Sequence, residues 1–178
     1  MALLNIEMLG SEVLRQKAVE VETFDDELKR LVEDMFETMY DAEGVGLAAP
    51  QIGVSRRVIV IDVHDEAHPP FALINPRLVE ESAAREKGEE GCLSIPGISG
   101  PVDRAARVTV EGLDAEGNPV RVSGGELLAR ALQHEIDHLN GVLFIDHLSP
   151  LQRAMVLKKY RRLEGEEGRG TKKPAKKR

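Results

Sequence analysis

The sequence predicts an α+β fold, with mainly antiparallel sheets packed around a central helix that carries a His-Glu-x-x-His motif. A long N-terminal helix and a C-terminal helix are expected beside them. Predicted strands precede helices without regular alternation, which favours α+β over an alternating α/β arrangement. A predicted hairpin between residues 107 and 122 supports antiparallel pairing.

The first predicted helix begins near Asp25 and ends before Gly44. Apolar residues recur there at i, i+3, i+4, i+7, i+8 and i+11, which is the pattern of one buried helical face. They are Leu28, Leu31, Val32, Met35, Phe36 and Met39. We expect Thr23 and Asp26 to form a capping box at its start.

Strands are predicted in the middle of the chain. Residues 57–63, rich in Val and Ile, indicate a buried strand, and residues 71–75 indicate a second. Residues 107–113 and 119–122 are expected to form a hairpin, because the segment 114–118 contains turn-forming residues.

Two more helices are predicted in the last third of the chain. One covers about 124–140, with Ser123 and Glu126 as a Ser-x-x-Glu capping box. The other covers about 150–165 and begins after the N-cap residue Ser149.

Composition indicates one folded domain, which we expect over residues 1–167. The chain has 178 residues, of which 42% are hydrophobic and 31% are charged, and this excludes a wholly disordered protein. The single Cys92 excludes a disulfide within the chain and suits a reducing compartment. We identify neither a signal peptide nor a membrane span, so we expect a cytoplasmic protein.

The net charge of −7 is unevenly distributed along the chain. Residues 169–178 hold six basic and no acidic residues, whereas the rest of the chain holds 18 basic and 31 acidic ones. The acidic body repels nucleic acid. The segment 168–178 is expected to be a disordered basic tail, which is either merely solvated or able to touch a phosphate backbone.

The motif His134-Glu135-Ile136-Asp137-His138 falls in a predicted helix. Its i, i+4 spacing places both imidazoles on one face, where they can bind one metal ion. Leu127 and Ala131 share that face, so the pair is expected to point towards the core. Glu135 is rotated by about 100° from His134 and could move a proton of a metal-bound water. The alternative is a surface helix with this spacing by chance.

A third metal ligand is needed, and the residues alone leave its source open. Cys92 lies upstream, beside Gly91, and a thiolate is a good ligand for zinc or iron(II). Read alone, Cys92 is better explained as an inert buried thiol. Downstream ligands, as in metalloproteases, are the other option. The candidates are Asp146, His147, Glu164, Glu166 and Glu167.

A glycine-rich segment at residues 44–51 is the third candidate element of a site. Its two glycines permit a tight turn or the close approach of a ligand, and Gln51 supplies an uncharged amide donor. Alone, it is better explained as the end of a helix followed by a loop.

Three segments together resemble the signature motifs of the bacterial peptide deformylases, in the same order and at this separation. They are Gly-Val-Gly-Leu-Ala-Ala-Pro-Gln at 44–51, Glu-Gly-Cys-Leu-Ser at 90–94 and Gln-His-Glu-Ile-Asp-His at 133–138. The resemblance spans nearly the whole chain except the basic tail. It implies a hydrolase that removes the N-formyl group from the N-terminal methionine of newly synthesised proteins and releases formate.

The resemblance also implies a set of site residues. Cys92, His134 and His138 would bind one divalent ion, Fe²⁺ with Zn²⁺, Ni²⁺ or Co²⁺ as substitutes, and water would take the fourth position. Glu135 would transfer the proton. The side chain of Gln51 and the backbone N–H of Leu93 would donate to the oxyanion. The implied substrate-binding residues are Gly44, Val45, Gly46, Gly91, Leu127, Arg130 and Ala131.

Two residues depart from the pattern of the family. Gly88 and Arg130 occupy positions where its members often carry aliphatic residues, and Arg130 would either close the mouth of the methionine pocket or narrow the substrate preference. We also expect Glu90 and Arg104 to form an ion pair that fixes the Cys92 loop. The alternative is two independent surface charges.

Expected partners are N-formylmethionyl peptides and nascent chains, and the ribosome through the C-terminal helix and the basic tail. A monomer without membrane contact is expected. Two rivals remain at this point: a metalloendopeptidase with a downstream carboxylate ligand, and an RNA or ribosome binder with a structural metal site. The intact Glu135 argues against the second, because a structural site does not need it.

Overall fold

The structure is a computed structural model that describes residues 2–170. Seven strands and three α-helices form the fold. The strands are β1 (Gly46–Ala48), β2 (Val58–Ile61), β3 (Phe71–Glu81), β4 (Arg85–Cys92), β5 (Ile95–Ala105), β6 (Arg107–Leu113) and β7 (Pro119–Gly125), and the helices are α1 (Asp26–Asp41), α2 (Glu126–Leu139) and α3 (Pro150–Gly170).

All strand pairs named by the topology are antiparallel. A five-stranded sheet has the order β1-β2-β3-β6-β7, and a two-stranded sheet contains β4 and β5. The prediction of an α+β fold with antiparallel sheets is therefore confirmed. The β6–β7 hairpin is also confirmed, and the Asp114 carboxylate accepts the backbone N–H groups of Glu116 and Asn118 in its turn.

Strand β3 is longer than predicted. It continues through Pro76 to Glu81, where the sequence indicated an end at residue 75. The pairing of β3 with β6 shifts register between Ile74 and Arg77. Such an irregularity accommodates a proline, which has no N–H for the ladder, so the strand can resume beyond it.

Strands β4 and β5 were not predicted. Most residues of β4 are charged, and the only fully buried side chain of this strand is that of Glu90. The apolar alternation by which a half-buried strand is recognised is therefore absent from β4.

Two predicted capping boxes are wrong. The N-cap of α1 is Asp25, whose carboxylate accepts the N–H of Leu28 at 3.0 Å. Ser123 lies inside β7 and its hydroxyl contacts Thr109, so α2 begins after Gly125 without a side-chain cap. At α1 a different residue, Asp25, caps the helix, and at α2 the predicted cap Ser123 belongs to the preceding strand.

The cap of the C-terminal helix is as predicted. Ser149 Oγ accepts the backbone N–H of Gln152 at 3.2 Å. Helix α3 extends to Gly170, beyond the predicted end near residue 165, so residues 168–170 are helical rather than disordered. The rest of the predicted basic tail, 171–178, lies outside the described residues.

Strand β2 lies between two apolar layers. Val58 and Val60 pack in a cluster with α1, and Ile59 and Ile61 pack in a cluster with α2. A third cluster joins β5 to α3 through residues that include Ile98. Helix α2 contacts strands of both sheets, which places its residues between them. No helix within residues 2–170 is long and apolar enough to cross a membrane.

Candidate metal centre

Helix α2 holds the two histidines of the motif side by side in the interior. Residues one helical turn apart share a face, and the Nε2 atoms of His134 and His138 lie 3.2 Å from each other. His138 is fully buried and His134 is 9% exposed. The expectation that this pair points into the protein, rather than lying on a surface helix, is confirmed.

Cys92 ends strand β4 directly beside this pair. Its Sγ lies 3.4 Å from His138 Nε2, and the three ligand atoms of Cys92, His134 and His138 lie within 4.8 Å of one another. Tetrahedral zinc with usual bond lengths separates two nitrogen ligands by about 3.3 Å, and sulfur from nitrogen by about 3.6 Å. The observed spacings therefore fit one shared ion.

Asp146, His147, Glu164 and Glu166 do not join this cluster, and the side chain of Glu167 lies outside the described part of the structure. Asp146 is bound by Arg15 at 2.6 Å, and His147 by Asp137 at 2.8 Å. Within residues 2–170, the cluster with metal-binding geometry comprises Cys92 and the two histidines alone.

The surroundings of the two imidazoles favour one positive charge at this point. Burial lowers the pKa of His138 well below its ordinary value, so its ring is neutral. Burial also disfavours the charged form of His134, but Glu135, Cys92 and Glu90 outweigh it and raise the pKa of His134 well above its ordinary value. A site that attracts a proton to His134 also suits a metal cation in its place.

Glu90 is held behind His134 by a dense set of donors. Arg104 Nη2 donates to Glu90 Oε1 and Arg104 Nε to Oε2, both at 2.8 Å. His134 Nδ1 lies 2.9 Å from Oε1, and Arg130 Nη1 donates to Oε2 at 2.7 Å. Burial alone would raise the pKa of Glu90, but the bonds and charges of Arg104 and His134 outweigh it and hold the pKa well below its ordinary value.

This arrangement confirms the predicted pair of Glu90 and Arg104 and excludes two independent surface charges. The contacts of Glu90 with Arg130 and His134 were not predicted. Because His134 Nδ1 donates to the carboxylate, Nε2 is the nitrogen that would carry the lone pair for a metal ion once the ring is neutral.

Glu135 is buried next to the metal-binding cluster. It is 4% exposed, and its Oε1 has no hydrogen-bond partner. Burial raises the pKa of Glu135 to about 7, with the charge of His134 acting in the opposite direction. A Cβ added to Gly46 would come 2.5 Å from Glu135 Oε2, so the space for this carboxylate exists because residue 46 has no side chain.

Gln51 and Leu93 lie at the same centre. The Gln51 amide nitrogen is 3.5 Å from Cys92 Sγ and 3.2 Å from Ser94 Oγ, while its oxygen accepts the N–H of Ala48. The side chain of Gln51 is thereby oriented with its donor group towards the metal-binding cluster. Leu93 lines the adjoining cavity.

This cavity, of about 860 Å³, opens beside the metal-binding cluster. Its lining includes all seven predicted substrate-binding residues: Gly44, Val45, Gly46, Gly91, Leu127, Arg130 and Ala131. Gly88 does not line it; the guanidinium of Arg130 lies against Gly88 instead.

Sequence reasoning missed two walls of the cavity. Ile6 and Met8 contribute from the N-terminal segment, and Tyr160 and Leu163 contribute from α3. The N-terminal segment also ties two motifs together, because the N–H of Glu7 donates to the carbonyl of Gln51 and that of Leu9 to the carbonyl of Ser94. No local pattern signals these contacts, which depend on tertiary packing.

A Cys-His-His cluster able to hold one metal ion, beside a buried carboxylate and an open cavity in an α+β fold, is the arrangement expected of a metal-dependent hydrolase. The comparisons with known proteins specify which one. The family profile described as polypeptide deformylase matches residues 3–154, and the chain belongs to the peptide deformylase family.

Individual relatives cover most of the chain. The peptide deformylase of Chromohalobacter salexigens is 54% identical over 162 residues, which are 91% of this chain and 95% of that protein. The crystal structure of a peptide deformylase from Legionella pneumophila has a TM-score of 0.89 and 49% identity, covering 94% of this chain and 99% of that one. That of Synechococcus elongatus, in complex with actinonin, has a TM-score of 0.84 and 46% identity, covering 88% and 86%.

The family membership establishes the reaction class. The protein removes the N-formyl group from nascent peptides, and the family is one of metalloenzymes.

Proposed function

We propose that Cys92, His134 and His138 hold the catalytic ion of this deformylase and that the ion is Fe²⁺, with Zn²⁺, Ni²⁺ or Co²⁺ able to replace it. The observation that carries this proposal is the convergence of one sulfur and two nitrogen donors within 4.8 Å. Thiolate and imidazole ligands suit all four metals. A divalent ion bound there lowers the pKa of a water molecule and polarises the formyl oxygen.

Glu135 is the proposed proton carrier. It takes a proton from the attacking water and delivers it to the nitrogen of the leaving amine. Support comes from the free Oε1, which no protein donor occupies, and from the burial of the side chain next to the ligand His134. The helix that carries the motif is then the catalytic core of the fold.

Gln51 and Leu93 are the proposed oxyanion donors. The Gln51 amide nitrogen is held 3.5 Å from Cys92 Sγ, close to where the formyl carbon would be attacked. The backbone N–H of Leu93 follows the ligand directly in the chain. One preorganised donor of this kind is typically worth about 3 kcal/mol of the barrier.

The formyl peptide is proposed to bind as an extended strand along β1. This strand is at the edge of the five-stranded sheet, and an extended peptide can add to such an edge through main-chain bonds. Gly46 of this strand, the preceding Gly44 and Val45, and Gly91 all line the cavity. Leu127 and Ala131, together with Arg130, provide the wall for the methionine side chain.

Further proposals concern the whole chain. We propose a single domain over residues 1–167 of a monomeric cytoplasmic protein. Helix α3 exposes Leu151 and Met155 one turn apart in its first turns. The sequence is rich in basic residues after 168, so the C-terminal segment from residue 150 onwards is the proposed contact with the ribosome.

The decisive test is formate release from formyl-Met-Ala-Ser by the purified protein. We expect release that stops when a chelator removes the metal and returns when Fe²⁺ or Ni²⁺ is added. The same preparation should leave internal peptide bonds of an unformylated peptide intact. Cleavage of those bonds without formate release would favour the metalloendopeptidase.

A further inference from the structure

Arg130 connects three segments of the chain near the metal centre. From α2, its Nη1 donates to Glu90 Oε2 at 2.7 Å and to the carbonyl of Val102 at 2.9 Å. Its Nη2 donates to the carbonyl of Glu86 at 2.9 Å. Because Glu86 and Glu90 belong to β4 and Val102 to β5, one side chain links the helix that carries both histidines to both strands of the small sheet.

Gly88 provides the space for this guanidinium. A Cβ added at residue 88 would lie 3.0 Å from Arg130 Nη2, 3.1 Å from Cζ and 3.2 Å from Nε. All three distances are shorter than ordinary contacts, so a branched side chain at residue 88 would displace the guanidinium. The two unusual residues noted in the sequence are therefore one structural unit.

The guanidinium completes the hydrogen bonding of Glu90. An ionised carboxylate has about four acceptor sites. Arg104 fills two of them, His134 one and Arg130 the last. Arg104 also donates to Asp137 at 2.6 Å, so it serves two carboxylates. Without Arg130, Glu90 would have no guanidinium other than the one it shares with Asp137.

We propose that Arg130, seated by Gly88, is a positioning residue of the metal centre that acts through Glu90 on His134. The inference rests on the proposed ligand set. Glu90 orients the His134 ring through Nδ1. Arg130 prevents the Glu90 carboxylate from rotating, because the Arg130 guanidinium binds Glu90 Oε2 and backbone carbonyls of both strands at once. Loss of this restraint releases the ring and speeds loss of the ion.

The test measures the rate at which the zinc-loaded protein transfers its metal to a chromogenic chelator. Arg130→Met keeps an unbranched side chain about as long as the stem of arginine and removes all three bonds, whereas Gly88→Val leaves Arg130 in the chain but displaces its guanidinium. Each is expected to release zinc about 10- to 100-fold faster than wild type. The double variant should release it no faster than Arg130→Met, because both changes remove the same contact.

Arg85→Met is the matched control, because Arg85 is an exposed arginine of the same small sheet and pairs with Asp103. It should release zinc at the wild-type rate. Melting temperatures of the metal-free proteins, measured in parallel, separate fold bracing from a metal-specific effect. Reduced melting temperatures in both Arg130→Met and Gly88→Val, with unchanged zinc release, would overturn the proposal.

If Arg130→Met and Gly88→Val do not fold, Gly88→Ala makes a smaller intrusion into the same space. Faster release than from Arg85→Met supports the proposal, and an equal rate overturns it. A wild-type protein that binds no ion would overturn the ligand set together with this inference. A wild-type protein that binds zinc, with variants that release it no faster, overturns the inference alone.

Discussion

Gly46→Ala should damage catalysis while leaving the metal ligands in place. The added Cβ would come 2.5 Å from Glu135 Oε2 and 3.0 Å from its Cγ and Cδ. A carbon and an oxygen without a bond between them approach to about 3.3 Å, so the carboxylate must move by about 0.8 Å. Misplacement by about 1 Å can cost about 100-fold in rate, which corresponds to about 2.7 kcal/mol of barrier.

The assay for Gly46→Ala is formate release from a formyl-Met peptide, with the metal content measured on the same samples. We expect kcat to fall by about 100-fold at unchanged metal content, because the added methyl group meets Glu135 and none of the three ligands. Gly165→Ala, whose Cβ would meet nothing within 4 Å, is the control and should retain wild-type turnover. Turnover of Gly46→Ala within about threefold of wild type would refute the placement of Glu135 as the proton carrier.

Four further predictions concern the centre, the terminus and the core. Glu135→Gln should keep the metal but lower turnover by about 10²- to 10⁴-fold in the formate assay, since it cannot accept a proton. Cys92→Ser should lose the metal, as elemental analysis would show; full occupancy with normal turnover would contradict the ligand set. Deletion of residues 168–178 should weaken ribosome binding and its salt dependence in sedimentation while leaving peptide deformylation unchanged; equal affinity would show a solvated tail. Leu132→Ala, at a fully buried position, should lower the free energy of unfolding in urea by about 2–5 kcal/mol, and a loss below 1 kcal/mol would contradict the packing described.

The elements with periodic apolar residues were predictable from the sequence. The apolar stripe through Leu28 and Met39 predicted α1, because such a stripe indicates a helix buried on one face. The run of Val and Ile predicted β2, because such a run indicates a strand buried on both faces. Strand β4 could not be found in this way, since its buried residue Glu90 is charged and is satisfied only by residues distant in the chain. The predicted capping box of α2 is wrong for a related reason: Ser123 lies in the strand that precedes α2, and its hydroxyl contacts Thr109 on the neighbouring strand.

The candidate site divides along the same line. The i, i+4 spacing placed His134 and His138 on one helical face, and the family resemblance added Cys92. The structure brings these three side chains together. The role of Arg130 was left between two options concerning the methionine pocket, whereas its guanidinium is bonded to Glu90 and to backbone carbonyls. A long flexible side chain has too many possible partners for the sequence to select one, and only the fold defines which lie within reach.

The position of Cys92 has a mechanical consequence for the whole protein. Cys92 ends a strand of the small sheet, whereas its neighbour His138 stands 46 residues further along the chain, on the helix packed against the large sheet. An ion bound by both acts as a removable cross-link between two layers that share no strand among the residues described. Such a link exists only in the folded chain, so bound metal shifts the unfolding equilibrium towards the native state. We expect metal loss to loosen the β4–β5 hairpin against α2, which would be seen as faster amide exchange in that hairpin than in the large sheet.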